Sequence, residues 1–168
     1  MKPLTLAAAG AVALGAFFFA ATQPALAQNR GEIEHARGGA SCPNCNLFQA
    51  ELGNLTHKNK NLSRARLRQA EMSTAIMNGT NFSGADMRDV NAYGALFTNA
   101  NLTGADLTNA TFVGAYLQGA RLSGANLSGT NFSGAEMDRA RGLTQAQLNK
   151  ACGDESTRLP SGLQWASC

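Results

Sequence analysis

The residues best equipped for chemistry in this chain are four cysteines and two histidines, and their spacing limits what they can do. Cys42-Pro43-Asn44-Cys45 has the C-x-x-C spacing shared by redox sites, metal half-sites and haem attachment. Haem attachment requires histidine at the next position, where Asn46 stands. A zinc site needs two further ligands, and the chain offers only His35 and His57. Cys42 and Cys45 therefore read either as a small structural disulfide or as a redox- or metal-responsive pair. Cys152 and Cys168 enclose 15 residues, and a bridge between them would stabilise the tail by up to ~3 kcal/mol in the chain-entropy model. No serine, cysteine or carboxylate has an evident activating partner, so neither catalysis nor a cofactor or resident metal is expected.

The elements that hold these residues follow from a repeat. Counting in fives from Leu47 to Met137 gives 19 positions, of which 17 are Leu, Phe or Met; His57 and Ala92 are the exceptions. Two residues earlier, 13 of the 19 sites are Ala, as in Ala100-Asn101-Leu102 and Ala105-Asp106-Leu107. A period of five fits neither the 3.6 of a helix nor the 2 of a strand. It indicates a solenoid, in which each repeat buries its apolar side only against its neighbours.

The run from Cys45 to Arg141 resembles the pentapeptide-repeat family, written A-(D/N)-L-x-x, over 97 of 168 residues. The resemblance implies an all-β solenoid, a right-handed quadrilateral β-helix of about five coils with four pentapeptides per coil. Coils about 4.8 Å apart would make a rod roughly 24 Å long. Gly84, Gly104 and Gly124, with Asn99 and Asn109, fall at the corners, where tight turns are needed. Residues 20 apart then stack in inward columns, one being Leu47, Leu67, Met87, Leu107 and Leu127. Small Ala92 is offset by Val90 two places earlier, and His57 by Leu55, so the register continues through both irregular repeats. Some family members imitate a DNA duplex and bind a DNA gyrase. That needs a sustained negative surface, whereas the repeats here hold nine Lys or Arg against seven Asp or Glu.

Around the repeats, residues 1–27 read as a signal peptide: Lys2, an apolar run from Leu4 to Ala21, and Ala25-Leu26-Ala27 before Gln28. The expected location is periplasmic or secreted, with no stable membrane insertion after cleavage. Without Lys2, 13 basic residues face 11 acidic ones, which makes the mature chain nearly neutral. Residues 28–41 read as a flexible arm, 42–142 as the β-helix and 143–168 as a capping helix with a disulfide-tied tail. Thr144 and Gln147 form a capping-box pattern flanked by Leu143 and Leu148, with Gly153 as a left-handed stop, so a helix is expected over 145–152.

Two surface features point to partners. Lys58, Lys60, Arg64, Arg66 and Arg68 crowd the first coil and could meet an anionic polymer or headgroup, although no nucleic acid is expected. Ile76, Leu96 and Tyr116 occupy outward slots 20 residues apart, and Tyr93 and Val113 stand across one corner. Such a stripe suggests a protein contact or self-association. The sequence thus reads as a non-enzymatic exported scaffold or protein-binding module. The alternative is a redox- or metal-responsive envelope protein acting through Cys42 and Cys45.

Overall fold

The computed structural model describes residues 29–165 and 168; the expected signal peptide and its cleavage site lie outside the described residues. The chain coils so that residue i pairs in parallel with residue i+20, from Asn46 with Arg66 to Arg121 with Arg141. In the middle coils a bridging residue bonds both ways: the Asp86 N–H donates to the Ala65 carbonyl at 3.0 Å, while the Leu67 N–H donates to the Asp86 carbonyl at 2.7 Å. Between bridges the chain turns, with the Ala50 N–H closing on the Leu47 carbonyl at 3.1 Å. A turn every five residues leaves each side too short for a conventional strand, so the sheet is built of single parallel bridges.

The turn explains the corner residues. Every fifth residue from Asn44 to Gly134 has positive φ, between 55° and 72°. That region is easy for Gly and tolerable for Asn. The later corners are mostly Gly, but Gln49, Arg64, Gln69 and Thr74 adopt the same backbone early in the rod. Position in the repeat overrides local preference there, because every neighbouring hydrogen bond depends on the turn.

The inward columns form the core. Leu47, Leu67, Met87, Leu107 and Leu127 are all at most 1% exposed, and Val90 and Ala92 are buried together. Phe82 and Phe97 share a coil with Ala92, and the aromatic contacts continue upward: Phe82–Phe97 at 5.5 Å, Phe97–Phe112 at 5.3 Å, Phe112–Phe132 at 5.5 Å. A small residue beside two rings keeps the coil's volume constant. The turn after His57 differs from the others. Lys60 cannot enter the small inward slot, and the Thr80 hydroxyl inserts there, accepting from the Lys60 N–H and donating to the His57 carbonyl.

The expectation of a flexible arm over 28–41 is corrected. Arg30–Arg37 is a helix, α1, capped by Asn29, whose side chain accepts from the Glu32 N–H at 3.3 Å. Ile33 and Ala36, one face of α1, are buried in the core cluster. His57 Nε2–H donates to the Ala36 carbonyl at 2.6 Å, and Glu32 accepts from the Asn46 N–H at 2.5 Å. Two apolar positions among charges were too weak a pattern to reveal this helix.

At the other end, Gln145–Leu148 is helix α2, four residues long, with both bonds of the Thr144–Gln147 capping box in place. The helix stops sooner than expected because the chain rejoins the ladder. The Phe132 N–H donates to the Cys152 carbonyl at 2.9 Å and the Met137 N–H to the Arg158 carbonyl at 2.8 Å. Gly153 is not in the left-handed region. Its role is steric: a Cβ there would lie 2.7 Å from the Trp165 ring, which stacks on Phe132 with centroids 5.6 Å apart.

Candidate functional site

Each side of the rod displays an outward ladder made by the residues that pair between coils. One side is amide-rich, with Asn61, Asn81 and Asn101 before Arg121. The next carries Asn46, Arg66, Asp86, Asp106 and Asn126, and the third Glu51, Glu71, Asn91, Thr111 and Asn131. The fourth runs Thr56, Ile76, Leu96, Tyr116 and Glu136. It alone has consecutive apolar rungs.

Hydrogen bonds and ion pairs link many rungs of the polar ladders. Arg88 donates to Asp86 through Nε and Nη2 at 2.7 and 2.6 Å, and its Nε lies 3.6 Å from Asp106. The Arg88 hydrogen bond, and then its charge, hold the Asp86 carboxyl below the ordinary range against partial burial. Arg66 stands next to Asp86 in the same column, but the arginine two residues along the chain reaches the carboxylate more directly. These pairs are about two-fifths exposed on the arginine side and contribute little to stability. Burial pushes the Glu71 carboxyl upward, yet hydrogen bonds from Ser73 and Asn91 together outweigh it and leave the group lowered. Near the tail, the Ser156 hydroxyl and the Gly134 N–H pull Asp154 down to about 2.

The apolar ladder has no such internal partner. Ile76 and Leu96 are half-buried by neighbouring rungs, while Tyr116 is 42% and Tyr93 56% exposed. Val113 sits in the column of Tyr93, half-buried. The corner between Tyr93 and Leu96 carries Gly94, and the corner above carries Gly114; both have positive φ, and a Cβ on Gly114 would meet nothing within 4 Å. The stripe and the two corner residues thus form one apolar surface around a corner that carries Gly at positions 94 and 114. Its chemistry is contact, since apolar groups and two phenols offer burial and hydrogen bonding to a partner.

The other candidate residues fall at the ends. Cys42 is bonded to Cys45 with Cα atoms 5.5 Å apart, and Cys152 to Cys168 at 4.8 Å. Cys42 is buried beneath α1. His57 is directed to Ala36, and among the described residues no three His, Cys, Asp or Glu are grouped to hold a metal ion. No helix of the described residues is long and apolar enough to cross a membrane.

A ladder with a 20-residue rung and turns every five residues defines a solenoid repeat protein. The family model described as pentapeptide repeats matches in eight copies, over residues 45–84, 75–114, 85–124 and 112–152. The chain belongs to the pentapeptide repeat family, whose members fold as right-handed quadrilateral β-helices and are generally non-enzymatic. Among curated proteins, none matches this sequence. Similar solved structures include a pentapeptide repeat protein of the Arabidopsis thaliana thylakoid lumen, 25% identical, with a TM-score of 0.29 and coverage of 65% of this chain. This chain spans 61% of the length of that protein. Another is Rfr23 of the cyanobacterium Cyanothece 51142, 21% identical, covering 77% of this chain and 98% of its own, with a TM-score of 0.37. A third is QnrB1, a plasmid-mediated fluoroquinolone resistance protein, 20% identical over 73% of this chain and 78% of its own, with a TM-score of 0.36.

Proposed function

We propose that this protein is a non-enzymatic scaffold or protein-binding module, exported to the periplasm or secreted, and built as a rod of about five coils closed at both ends. Its contact surface is the corner formed by Ile76, Leu96, Tyr116, Tyr93 and Val113. The observation that carries this reading is the contrast between ladders: three sides carry polar rungs, many of them linked to one another, and one presents consecutive apolar rungs that include the exposed Tyr116, with the exposed Tyr93 across the corner. Exposed apolar surface on a rod whose other sides are polar is stabilised by a partner that covers it. The disulfides and the leader segment support an oxidising compartment, where such bridges persist.

The variant Ile76→Ser, Leu96→Thr, Tyr116→Asn tests it. These side chains point away from the core, so the fold should lose only about 0.5 kcal/mol per site or less. Sedimentation and pull-down should show that self-association or partner capture disappears while the melting temperature holds. An unchanged oligomeric state and partner set would refute the assignment.

A further inference from the structure

The first full coil carries charge that the rod does not neutralise. Between Glu51 and Glu71 stand five cations and no carboxylate. Among the described residues, only Arg68 of these five has an acidic partner, Asp89 at 3.3 Å. Arg66 lies below Asp86 in the ladder, but Arg88 holds that carboxylate, and the Arg66 guanidinium lies instead over Phe48, 5.8 Å from the ring centroid. Lys58 and Arg64 are exposed, and Lys60 and Arg66 half-buried. The turns distribute them: Lys58 and Lys60 flank one corner, Arg64 sits on the next, and Arg66 lies on the side beyond it.

A neutral donor completes the row. Asn61 lies on the side between Lys60 and Arg64, and its Oδ1 accepts from the Ser63 N–H at 3.0 Å and from Asn81 Nδ2 at 3.4 Å. Both bonds occupy the oxygen, so the Asn61 Nδ2 is the group left without a partner among the described residues. The coil therefore presents four cations and an amide donor, in sequence along three sides and the two corners between them.

We propose that this coil is a binding collar for a linear acidic polysaccharide. Shape decides against a lipid surface, because a flat bilayer meets one side of a four-sided rod, whereas a flexible chain follows cations around a corner. Chemistry decides against nucleic acid. Single strands are held by base stacking as well as phosphate contacts, and the aromatic ring beside the collar, Phe48, is covered by Arg66. A polymer of carboxylate- or sulfate-bearing sugars needs only the charges and the amide donor. The collar meets the side of the apolar ladder only at Lys58, by the corner at Asn59 and not the one at Gly94, and does not depend on that ladder's role.

The test replaces each cation by a residue that its own column already holds: Lys58→Asn as at Asn78, Lys60→Ala as at Ala100, Arg64→Gly as at Gly84, and Arg66→Asn as at Asn46. A control removes equal charge at the far end with Arg121→Asn, Arg139→Asn, Arg141→Asn and Lys150→Gln. Binding to immobilised polygalacturonate is measured at two salt concentrations. With four cations each releasing ~0.7 counterion, the native protein and the control should weaken about 50-fold for a fourfold rise in salt. The collar variant should bind at least tenfold more weakly at low salt and respond little to salt, with an unchanged melting temperature. Equal weakening of both variants would mean bulk charge only and overturn the collar. So would absence of native binding, or tighter binding to an oligothymidylate or to phosphatidylglycerol–phosphatidylcholine vesicles.

Discussion

The two ends of the rod face the same problem, an open apolar coil, and close it by different means. At the N-terminal end α1 lies across the coil on Ile33 and Ala36 and is fastened by polar bonds, His57 to the Ala36 carbonyl and Glu32 to the Asn46 N–H. At the C-terminal end the chain resumes the ladder through Cys152 and Arg158, and Trp165 extends the aromatic column above Phe132. The bridges differ likewise: Cys42–Cys45 spans 3 positions, Cys152–Cys168 spans 16. The N-terminal fastening has a cost, since the buried His57 Nδ1 has no hydrogen-bond partner. The first coil is therefore an adaptor between repeat and helix. His57 occupies a large inward slot, and it is where the column stops being hydrocarbon.

The comparison breaks first if the columns that both ends protect are attacked directly. Leu107→Lys should cost more than about 4 kcal/mol, because it places an ammonium in a fully buried column without a partner. Its neighbour Asp106→Asn should stay within about 0.5 kcal/mol, as Asn101 and Asn126 already serve in that slot. Equal losses in circular dichroism and melting would mean that the inward register is wrong.

Removing the bridges one at a time sharpens the contrast. In the chain-entropy model the longer loop contributes about 3 kcal/mol and the shorter about 1.5 kcal/mol. Cys152→Ser with Cys168→Ser should lower the melting temperature more than Cys42→Ser with Cys45→Ser, and should expose residues 153–168 to protease with the repeats intact. Mass spectrometry of the unreduced protein finding Cys152 and Cys168 as free thiols would contradict this ordering.

The smallest effect probes the adaptor. His57→Leu supplies the residue type usual in the column but removes the bond to Ala36, so α1 should loosen by about 1 kcal/mol. Hydrogen exchange should quicken over residues 30–37 and stay unchanged over 145–152. Uniform quickening, or none, would deny His57 its fastening role.

The period of five disclosed the coil, the columns and the corners because it is a global pattern, repeated until local preference no longer matters. The capping box at Thr144 and Gln147 was readable for the opposite reason, being a short motif whose two bonds are made within four residues. What stayed hidden depends on tertiary placement. Thr80 looks like an ordinary substitute for Ala until its hydroxyl is seen inside the turn of another coil. Gly153 resembles a helix stop, but Trp165 is what excludes a side chain there. Of the apolar corner, the positions were visible as outward slots; the positive φ at Gly94 and Gly114 and the clear space at Gly114, which join Tyr93 to Leu96 and Tyr116, emerged only from the backbone.

The central claim is that one corner of the rod meets a protein partner and the amide side does not. Site-specific photocrosslinking in the native host tests it most directly, with benzoylphenylalanine placed at Tyr116 on the apolar ladder or at Asn101 on the amide ladder. Both positions are outward rungs, so folding should be equal. The account predicts discrete crosslinked species, to a second copy or to one protein, from position 116 and none from position 101. Matching crosslinks from both positions, or none from either, would contradict it.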